Sequence, residues 1–402
     1  MMTNRVSAET EIKQISISTT VFRHSKYDSA VLNLSEADFD AAGFVLGDSC
    51  DVRFSNGYEM NDVPYLNGHY TKAGTPVICA YPNEKNVTIS NTFSDFWTPA
   101  GLKWGDTVHI TLRESGKYRR LFEALGHAYS VKREDFSSDA AFANFYAMKA
   151  GKIRRDFFYR GCSPVDNRRM RAPYVDREIA QVGIRCIVNL SDTKTDVEKY
   201  IAGADFDSPY AASLYEEGRL VPLHMGMDYT AGYFKEGVAE GMRFMMRCGG
   251  PVYIHCLEGK DRTGFICMLM EALAGAGYDE MRDDYMKTYE NYYGITREGE
   301  PDRYDAIVTQ YFDMFAAYLC GIGEQEAEAQ ATGEQADGNS GIREQDARKT
   351  GALDADVAKQ TGTERDALRN ADYVASARRY FTECGLGEHE LDELEAFLTQ
   401  GM

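Results

Sequence analysis

The sequence predicts a chain of two parts, a small all-β N-terminal domain followed by an α/β domain. Short β-prone runs separated by turn-forming pairs such as Asn56-Gly57 occupy the first third of the 402 residues. Further along, a β-prone run at 251–255 is followed by a loop and by an apolar segment of helical length at 265–274. Strand, loop and helix in this order are typical of a sheet covered by helices.

The N-terminal domain is predicted to span residues 1–116 as a barrel or sandwich. Its β-prone runs are residues 11–22, 50–54, 75–81, 86–90 and 106–112. Its clustered tyrosines are predicted to be core and hairpin residues rather than a ligand site; they are Tyr58, Tyr65, Tyr70 and Tyr81. Helical patterns at 118–129 and 139–148 predict a helical connector over residues 117–150.

Residues 322–372 are predicted to be an acidic insert that is disordered or loosely helical. They contain twelve acidic and six basic residues and no aromatic residue. Such a stretch buries too little apolar surface to offset the entropy lost on ordering. Two amphipathic patterns at 373–384 and 388–399 then predict a terminal helical pair over residues 373–402.

The loop after residue 255 carries a cysteine and an arginine six positions apart, Cys256 and Arg262. The backbone N–H groups of residues 257–262 can surround one point, which the positive end of the next helix also faces. A phosphoryl dianion and a thiolate both fit this field, so Cys256 is predicted to be an ionised nucleophile. The guanidinium of Arg262 can hold two phosphate oxygens at once.

Neighbouring side chains are predicted to support this chemistry. His255 is expected to fix the loop by hydrogen bonds to the backbone rather than to act as a base, and Thr263 to stabilise the sulfur as leaving group. Lys260 is expected to add positive charge at the rim, and Glu258 is tolerated in an anion-binding loop if its side chain points outward. The predicted phosphate-binding positions are Leu257, Glu258, Gly259, Lys260 and Gly264. The two glycines among them permit tight turns of the backbone.

The segment 255–264, His-Cys-Leu-Glu-Gly-Lys-Asp-Arg-Thr-Gly, resembles the signature loop of the protein tyrosine phosphatase superfamily. Its last six residues resemble the bacterial tyrosine/serine phosphatases, some of which also accept phosphoinositides. Residues 158–164 and 182–190 resemble two further segments of that branch. The resemblance covers residues ~150 to 320 and ~373 to 400. It implies a three-layer catalytic domain with a central, mostly parallel sheet flanked by helices, formed by residues 151–321 and completed by 373–402.

The resemblance also implies supporting residues, with two departures. Arg160 lies in the entry segment, but Gly161-Cys162 follows it where the branch has serine. Asn189 stands where the branch usually has an acid, and Asp192, three residues later, is expected to take over its part.

Two aspartates compete as proton donor. In members with the Lys-Asp-Arg order the loop aspartate is the usual donor, which points to Asp261. Its rival is Asp228, in a loop that follows a probable strand and lies 28 residues before Cys256. Asp228 could equally cap the next helix, and spacing alone does not choose between the two acids.

The predicted reaction is hydrolysis of phosphate monoesters through a thiophosphoryl cysteine, with no metal or other cofactor, because Arg262 and backbone N–H groups stabilise the charge. A phosphotyrosine protein is the leading substrate, with phosphoserine or phosphothreonine proteins and small phosphate esters also expected. A phosphoinositide or inositol phosphate is the alternative, suggested by Lys260. A phosphate-binding scaffold is a second alternative, disfavoured by the presence of Cys256, Asp261 and Arg262 together.

Composition narrows the class of protein. The net charge of −19 disfavours nucleic acid and charge-driven membrane binding. No apolar run approaches the ~20 residues of a membrane span, and residues 1–23 lack the pattern of a secretory signal. The nine cysteines form no cluster with metal-ligand spacing. A reducing, cytoplasmic location is therefore expected.

Overall fold

The computed structural model describes residues 14–322 and 364–400. The chain forms two compact units, Met1–Ala128 and Tyr129–Met402. The boundary between them falls inside the predicted connector of residues 117–150. Most of the predicted insert, residues 323–363, lies outside the described residues.

The first unit contains a closed barrel. Its strands are β1 (Ser16–His24), β2 (Ala30–Leu32), β3 (Ser49–Phe54), β4 (Glu59–Leu66), β5 (Pro76–Cys79), β6 (Thr88–Asn91) and β7 (Thr107–Glu114). Around the barrel they follow the order β1-β2-β6-β5-β4-β3-β7. Neighbours pair antiparallel, except that β4 and β5 run parallel. Three helices accompany the strands: α1 (Glu36–Ala42), α2 (Trp97–Ala100) and α3 (Arg119–Leu125).

The barrel confirms the predicted all-β N-terminal domain. Inward-facing side chains fill it, among them Val52, Tyr65, Ile78, Ile89 and Ile110. The β-prone runs all coincide with strands, but β2 and β4 have no counterpart among the predictions. β4 contains Asn61, Asp62 and Pro64, which weaken a sequence signal for a strand. It forms because Val63 and Tyr65 are fully buried in the core.

The second unit is built on a mixed sheet. Its strands are β8 (Tyr146–Ala147), β9 (Phe158–Gly161), β10 (Cys186–Asn189), β11 (Leu220–Pro222) and β12 (Val252–His255). The order is β11-β10-β12-β9-β8, and all neighbours are parallel except β8 and β9. Every residue of β9, β10 and β12 is buried. A parallel sheet covered on both faces has this pattern, which confirms the predicted fold class.

Helices flank this sheet. They are α4 (Asp139–Phe142), α5 (Ala172–Gln181), α6 (Lys194–Ile201), α7 (Pro209–Glu216), α8 (Gly232–Cys248), α9 (Asp261–Leu273), α10 (Tyr278–Tyr293), α11 (Pro301–Ile307), α12 (Asp313–Cys320), α13 (Tyr373–Glu383) and α14 (Glu388–Thr399). The helix α9 is buried from its third residue onward and packs against α10 and α13. The helices α13 and α14 match the predicted terminal pair.

One prediction about this unit is wrong. The helical pattern at 139–148 ends at Phe142, because Asn144 has a φ of 51° and turns the chain into β8. Residues 364–369, at the end of the insert predicted to be disordered or loosely helical, are helical. There Leu368 is 2% exposed and the Nε of Arg365 lies 2.9 Å from the Oδ2 of Asp313. A buried leucine and a charged contact hold this stretch in place.

Candidate active site

The carboxyl ends of three parallel strands meet at the predicted loop. His255, the last residue of β12, pairs in register with Asn189 at the end of β10 and with Gly161 at the end of β9. The loop follows directly, and α9 begins at Asp261. The predicted order of strand, loop and helix is therefore present, and Cys256 at the start of the loop is 4% exposed.

Two glycines in this region are required by close packing. Gly259 has a φ of +72°, and a Cβ there would lie 2.3 Å from the carbonyl oxygen of Gly161. A Cβ on Gly264 would lie 2.5 Å from the ring of Tyr285. A side chain at either position would push the loop or α9 away from its neighbours.

His255 lies beneath the loop as a neutral ring. Its Nδ1 is 2.9 Å from the carbonyl oxygen of Cys256, and burial lowers the pKa of His255 to about 4. The contact is to the backbone, as expected, and the role of His255 in supporting the thiolate stays a prediction. Thr263 is fully buried, and its hydroxyl has no hydrogen-bond partner among the described residues. Thr263 can therefore donate to an incoming group without breaking a contact.

Arg262 occupies the second position of α9. Its Nη1 donates to the carbonyl oxygen of Met225, 3.0 Å away. This contact ties the arginine to the loop between β11 and α8, where Asp228 also lies. A guanidinium carries five N–H donors in one plane, so an anchored plane still offers a fork to an anion.

The two competing aspartates differ in their surroundings. Asp261 is the first residue of α9, is 30% exposed, and has its Oδ2 3.7 Å from the Nζ of Lys260. Burial raises the pKa of Asp261; the positive charge of Lys260 partly offsets this effect, and the negative charge of Glu258 adds to it. Asp228 accepts hydrogen bonds from the N and Oγ1 of Thr230 at 3.1 and 2.6 Å. It does not cap α8, whose N-cap is Ala231 without a side-chain bond.

Glu258 does not point outward, the orientation in which its charge would be tolerated most easily. Its side chain is 8% exposed, and its Oε1 accepts a hydrogen bond from the Nε of Arg169 at 3.0 Å. Its Oε2 is 3.5 Å from the hydroxyl of Tyr293. The carboxylate can be buried because a buried guanidinium and a partly buried phenol contact it.

Lys260 does not lie at the rim either. It is 7% exposed, and its Nζ is 3.9 Å from the Oε2 of Glu258 and 3.4 Å from the hydroxyl of Tyr293. The ammonium also stands 5.8 and 5.6 Å from the ring centres of Tyr289 and Tyr293. The positive charge of Lys260 is turned into the protein, where aromatic faces and carboxylates stabilise it.

Arg160 supports the loop from below. It is 1% exposed, its Nη2 donates to the carbonyl oxygen of Gly259 at 3.1 Å, and its Nη1 lies 2.9 Å from the Oδ2 of Asp284. Glu271 lies beside Asp284, and burial holds the pKa of Glu271 well above its usual range. The contact with Asp284 holds Arg160 in place while it binds the loop backbone.

Asp192 lies in the turn after β10 and is fully buried. Its Oδ2 accepts from the Nδ2 of Asn189 at 3.0 Å and from the hydroxyl of Ser191 at 3.2 Å. Its carbonyl oxygen accepts from the backbone N of His224 at 3.1 Å. Asn189 and Asp192 together organise this turn and attach it to the loop that carries Asp228.

Three residues near the loop were missed by sequence reasoning. The backbone N of Ser163 donates to the carbonyl oxygen of Leu257 at 3.1 Å. The Nδ2 of Asn144 donates to the carbonyl oxygen of Glu258 at 3.0 Å. Arg169, described above, is the third. Ser163 lies inside the resembling segment 158–164 and could have been found there, whereas Asn144 and Arg169 carry no local signal.

Within residues 14–322 and 364–400, no group of three or more His, Cys, Asp or Glu side chains is arranged to hold a metal ion. In that same part of the chain, no helix combines the length and the apolar character needed to cross a membrane.

Comparisons with known proteins define the class and then the family. The model of the tyrosine phosphatase family matches residues 146–400, well over half of the chain. The protein is a phosphoric monoester hydrolase of the Cys-based type. It belongs to the tyrosine phosphatase family.

Solved structures and curated sequences add little to this assignment. The core catalytic domain of the PP-IP phosphatase SIW14 from S. cerevisiae, in complex with citrate, is 14% identical, with a TM-score of 0.24 over 47% of this chain and 93% of that chain. An uncharacterized conserved protein from Thermotoga maritima is 16% identical, with a TM-score of 0.21. That alignment covers 23% of this chain and 35% of the other. No curated protein matches the sequence. TM-scores this low carry no argument, so the family assignment rests on the family model.

Proposed function

We propose that this phosphatase hydrolyses phosphotyrosine in proteins through a thiophosphoryl intermediate on Cys256. The main supporting observation is the position of Cys256 in a loop closed by the 13-residue helix α9, with Arg262 at its second position. Loop N–H groups and the helix N-terminus attract anions, and a thiolate nucleophile is the partner that phosphate chemistry requires.

In the first step the sulfur of Cys256 attacks phosphorus, and the bond from phosphorus to the leaving oxygen breaks. Asp261 gives its proton to that oxygen, so the phenol leaves neutral. Arg262 holds two of the equatorial oxygens as their charge develops. In the second step water attacks phosphorus, Asp261 takes the water's proton, and the S–P bond breaks to release inorganic phosphate. Thr263 donates a hydrogen bond to the departing sulfur.

Asp261 is favoured over Asp228 as the proton donor for a physical reason. A general acid must carry a proton at the working pH, and burial raises the pKa of Asp261. His255 takes no part in proton transfer, because burial lowers its pKa to about 4.

The surroundings of Lys260 favour phosphotyrosine over a phosphoinositide. A multiply phosphorylated inositol ring needs cations around the loop for its additional phosphates. Lys260, the residue that suggested such a substrate, is 7% exposed and lies between Glu258 and Asp261. The net charge of −19 also opposes a polyanionic substrate. For location we propose the cytoplasm, because a thiolate nucleophile needs a reducing compartment.

The proposal is tested in two steps. First, the wild type should hydrolyse para-nitrophenyl phosphate, and Cys256→Ser should lose at least about 10³-fold in kcat. The control Cys320→Ser, at a partly buried cysteine that ends α12, should retain activity. Absence of wild-type turnover would refute the enzymatic function. Second, phosphate release is compared between phosphotyrosine, phosphoserine and phosphothreonine peptides and a phosphoinositide panel. A higher kcat/KM on phosphoinositides would overturn the proposed substrate.

A further inference from the structure

The catalytic loop contains a negative charge that opposes its proposed task. Glu258 lies two residues after Cys256, and its side chain is 8% exposed. Its backbone is anchored through the carbonyl oxygen, which accepts from Asn144 Nδ2 at 3.0 Å and from Cys162 Sγ at 3.4 Å. A buried carboxylate at this place would repel both a thiolate and a phosphate dianion, because charges interact strongly where water is excluded.

Arg169 compensates this charge from a separate segment. It ends a short 3-10 turn, Asn167–Arg169, that follows β9, and its side chain is 5% exposed. Its Nε donates to Glu258 Oε1 at 3.0 Å, and its guanidinium stands 5.3 Å from the ring centre of Tyr129. The neighbouring Arg168 turns the other way and pairs with Asp166 at 2.8 Å. Of these two consecutive arginines, one is directed to the loop.

Lys260 is a weaker counter-charge for Glu258. Its Nζ is 3.9 Å from Glu258 Oε2, beyond hydrogen-bond range, and it is shared with Asp261 at 3.7 Å. Arg169 makes the shorter contact and a true hydrogen bond, which is the stronger kind of ion pair. The compensation of Glu258 therefore depends chiefly on Arg169.

We infer that Arg169 is a positioning residue of the active site: by neutralising Glu258 it allows the loop of residues 256–262 to bind a phosphate anion. The inference rests on the proposed function of that loop. Arg169 acts through Glu258 and does not itself touch the phosphate. Its removal should therefore affect anion binding, and removal of the Glu258 charge should correct the defect.

A double-mutant cycle tests the inference. Arg169→Met should lower kcat/KM for para-nitrophenyl phosphate on the order of 10- to 100-fold, chiefly by raising KM, and weaken inhibition by inorganic phosphate. Glu258→Gln in the same protein should restore kcat/KM to within about 5-fold of wild type, since the uncompensated charge is gone. Arg177→Met, at an arginine that is 54% exposed on α5, is the matched control and should behave as wild type.

The outcomes separate charge compensation from simple packing. If Arg169→Met stays within about 2-fold of wild type, or if the double variant is as impaired as Arg169→Met, the inference is wrong. If Arg169→Met does not fold, phosphate binding by the isosteric single variant Glu258→Gln tests the inference instead. This variant should bind inorganic phosphate as tightly as wild type or more tightly, and binding weakened more than about 3-fold would overturn the inference.

Calorimetric binding of inorganic phosphate also separates this inference from the proposed function. Failure of the wild type to turn over any phosphate ester would refute the function. Phosphate binding that falls in Arg169→Met and returns in the double variant would still support the positioning role of Arg169.

Discussion

Replacing His255 with glutamine is expected to make the folded protein less sensitive to acid than the wild type. Burial lowers the pKa of His255 from 6.5 to about 4. The unfolded chain exposes the ring, which then takes up a proton near the ordinary value. Between these two pH values the unfolded state binds more protons than the folded state, so the free energy of unfolding decreases as the pH falls. Above pH 6.5 the ring is neutral in both states and has no such effect.

The magnitude follows from the two pKa values. At 1.36 kcal/mol per pKa unit, the lowering from 6.5 to about 4 corresponds to a full loss of about 3 kcal/mol, reached below pH 4. Because His255 is 0% exposed, solvent screening does not reduce this value. Between pH 7.5 and 5.5 the loss is about 1 kcal/mol. That interval stays above the isoelectric point of about 4.9, where low net charge favours precipitation.

Urea unfolding followed by circular dichroism at several pH values measures this effect. The quantity compared is the change in unfolding free energy with pH, since the substitution also removes the bond to the Cys256 carbonyl and lowers stability at every pH. His389→Gln, at a histidine whose side chain is 86% exposed on α14, is the control. His389→Gln should follow the wild type. If the unfolding free energy of His255→Gln also falls in parallel with that of the wild type down to pH 5.5, the inference that His255 is buried in its neutral form is wrong.

Two further predictions concern the loop. Asp261→Asn should lower kcat on the order of 10²-fold for an alkyl phosphate and far less for para-nitrophenyl phosphate, whose leaving group needs no proton. The same leaving-group dependence in Asp228→Asn instead would assign the acid to the other loop. Gly259→Ala should destabilise the protein by about 2–4 kcal/mol and abolish most activity, because its Cβ would lie 2.3 Å from the Gly161 carbonyl at a φ of +72°. Thermal unfolding of both variants measures the loss. Gly275→Ala, at a φ of +80° with nothing within 4 Å of its Cβ, is the control for backbone strain alone, and equal losses in the two variants would exclude the clash.

The parts of the site that were predicted are those encoded over a short stretch of chain. The β-run before Cys256, the glycines at 259 and 264 and the apolar helix after them are contiguous, and each carries its own local preference. His255 also lies as expected, with its ring bonded to the Cys256 carbonyl. Local preference and tertiary structure agree there because β12 is buried throughout and α9 is buried from its third residue onward.

The misplaced side chains depend on partners that are distant in sequence. From the sequence, the charge of Glu258 was tolerable if its side chain faced solvent, but the side chain pairs with Arg169, 89 residues away. Lys260 was expected at the rim, but Tyr293, which it contacts, is 33 residues away. The helix expected at 139–148 fails for a related reason, since Asn144 leaves the helix and bonds the loop backbone. No local pattern records these pairings.

The sequence by itself determined the barrel-plus-α/β architecture, the family and the loop on which Cys256 and Arg262 lie, because periodicity, turns and a contiguous motif are properties of neighbouring residues. The tertiary structure decided how charge is distributed around that loop. It buries Glu258 and Lys260 and pairs Arg169 with Glu258. It leaves Asp261 partly exposed at the start of α9. The physical reason is that a charge can be buried only where its counter-charge is buried too, and the fold alone brings such residues together.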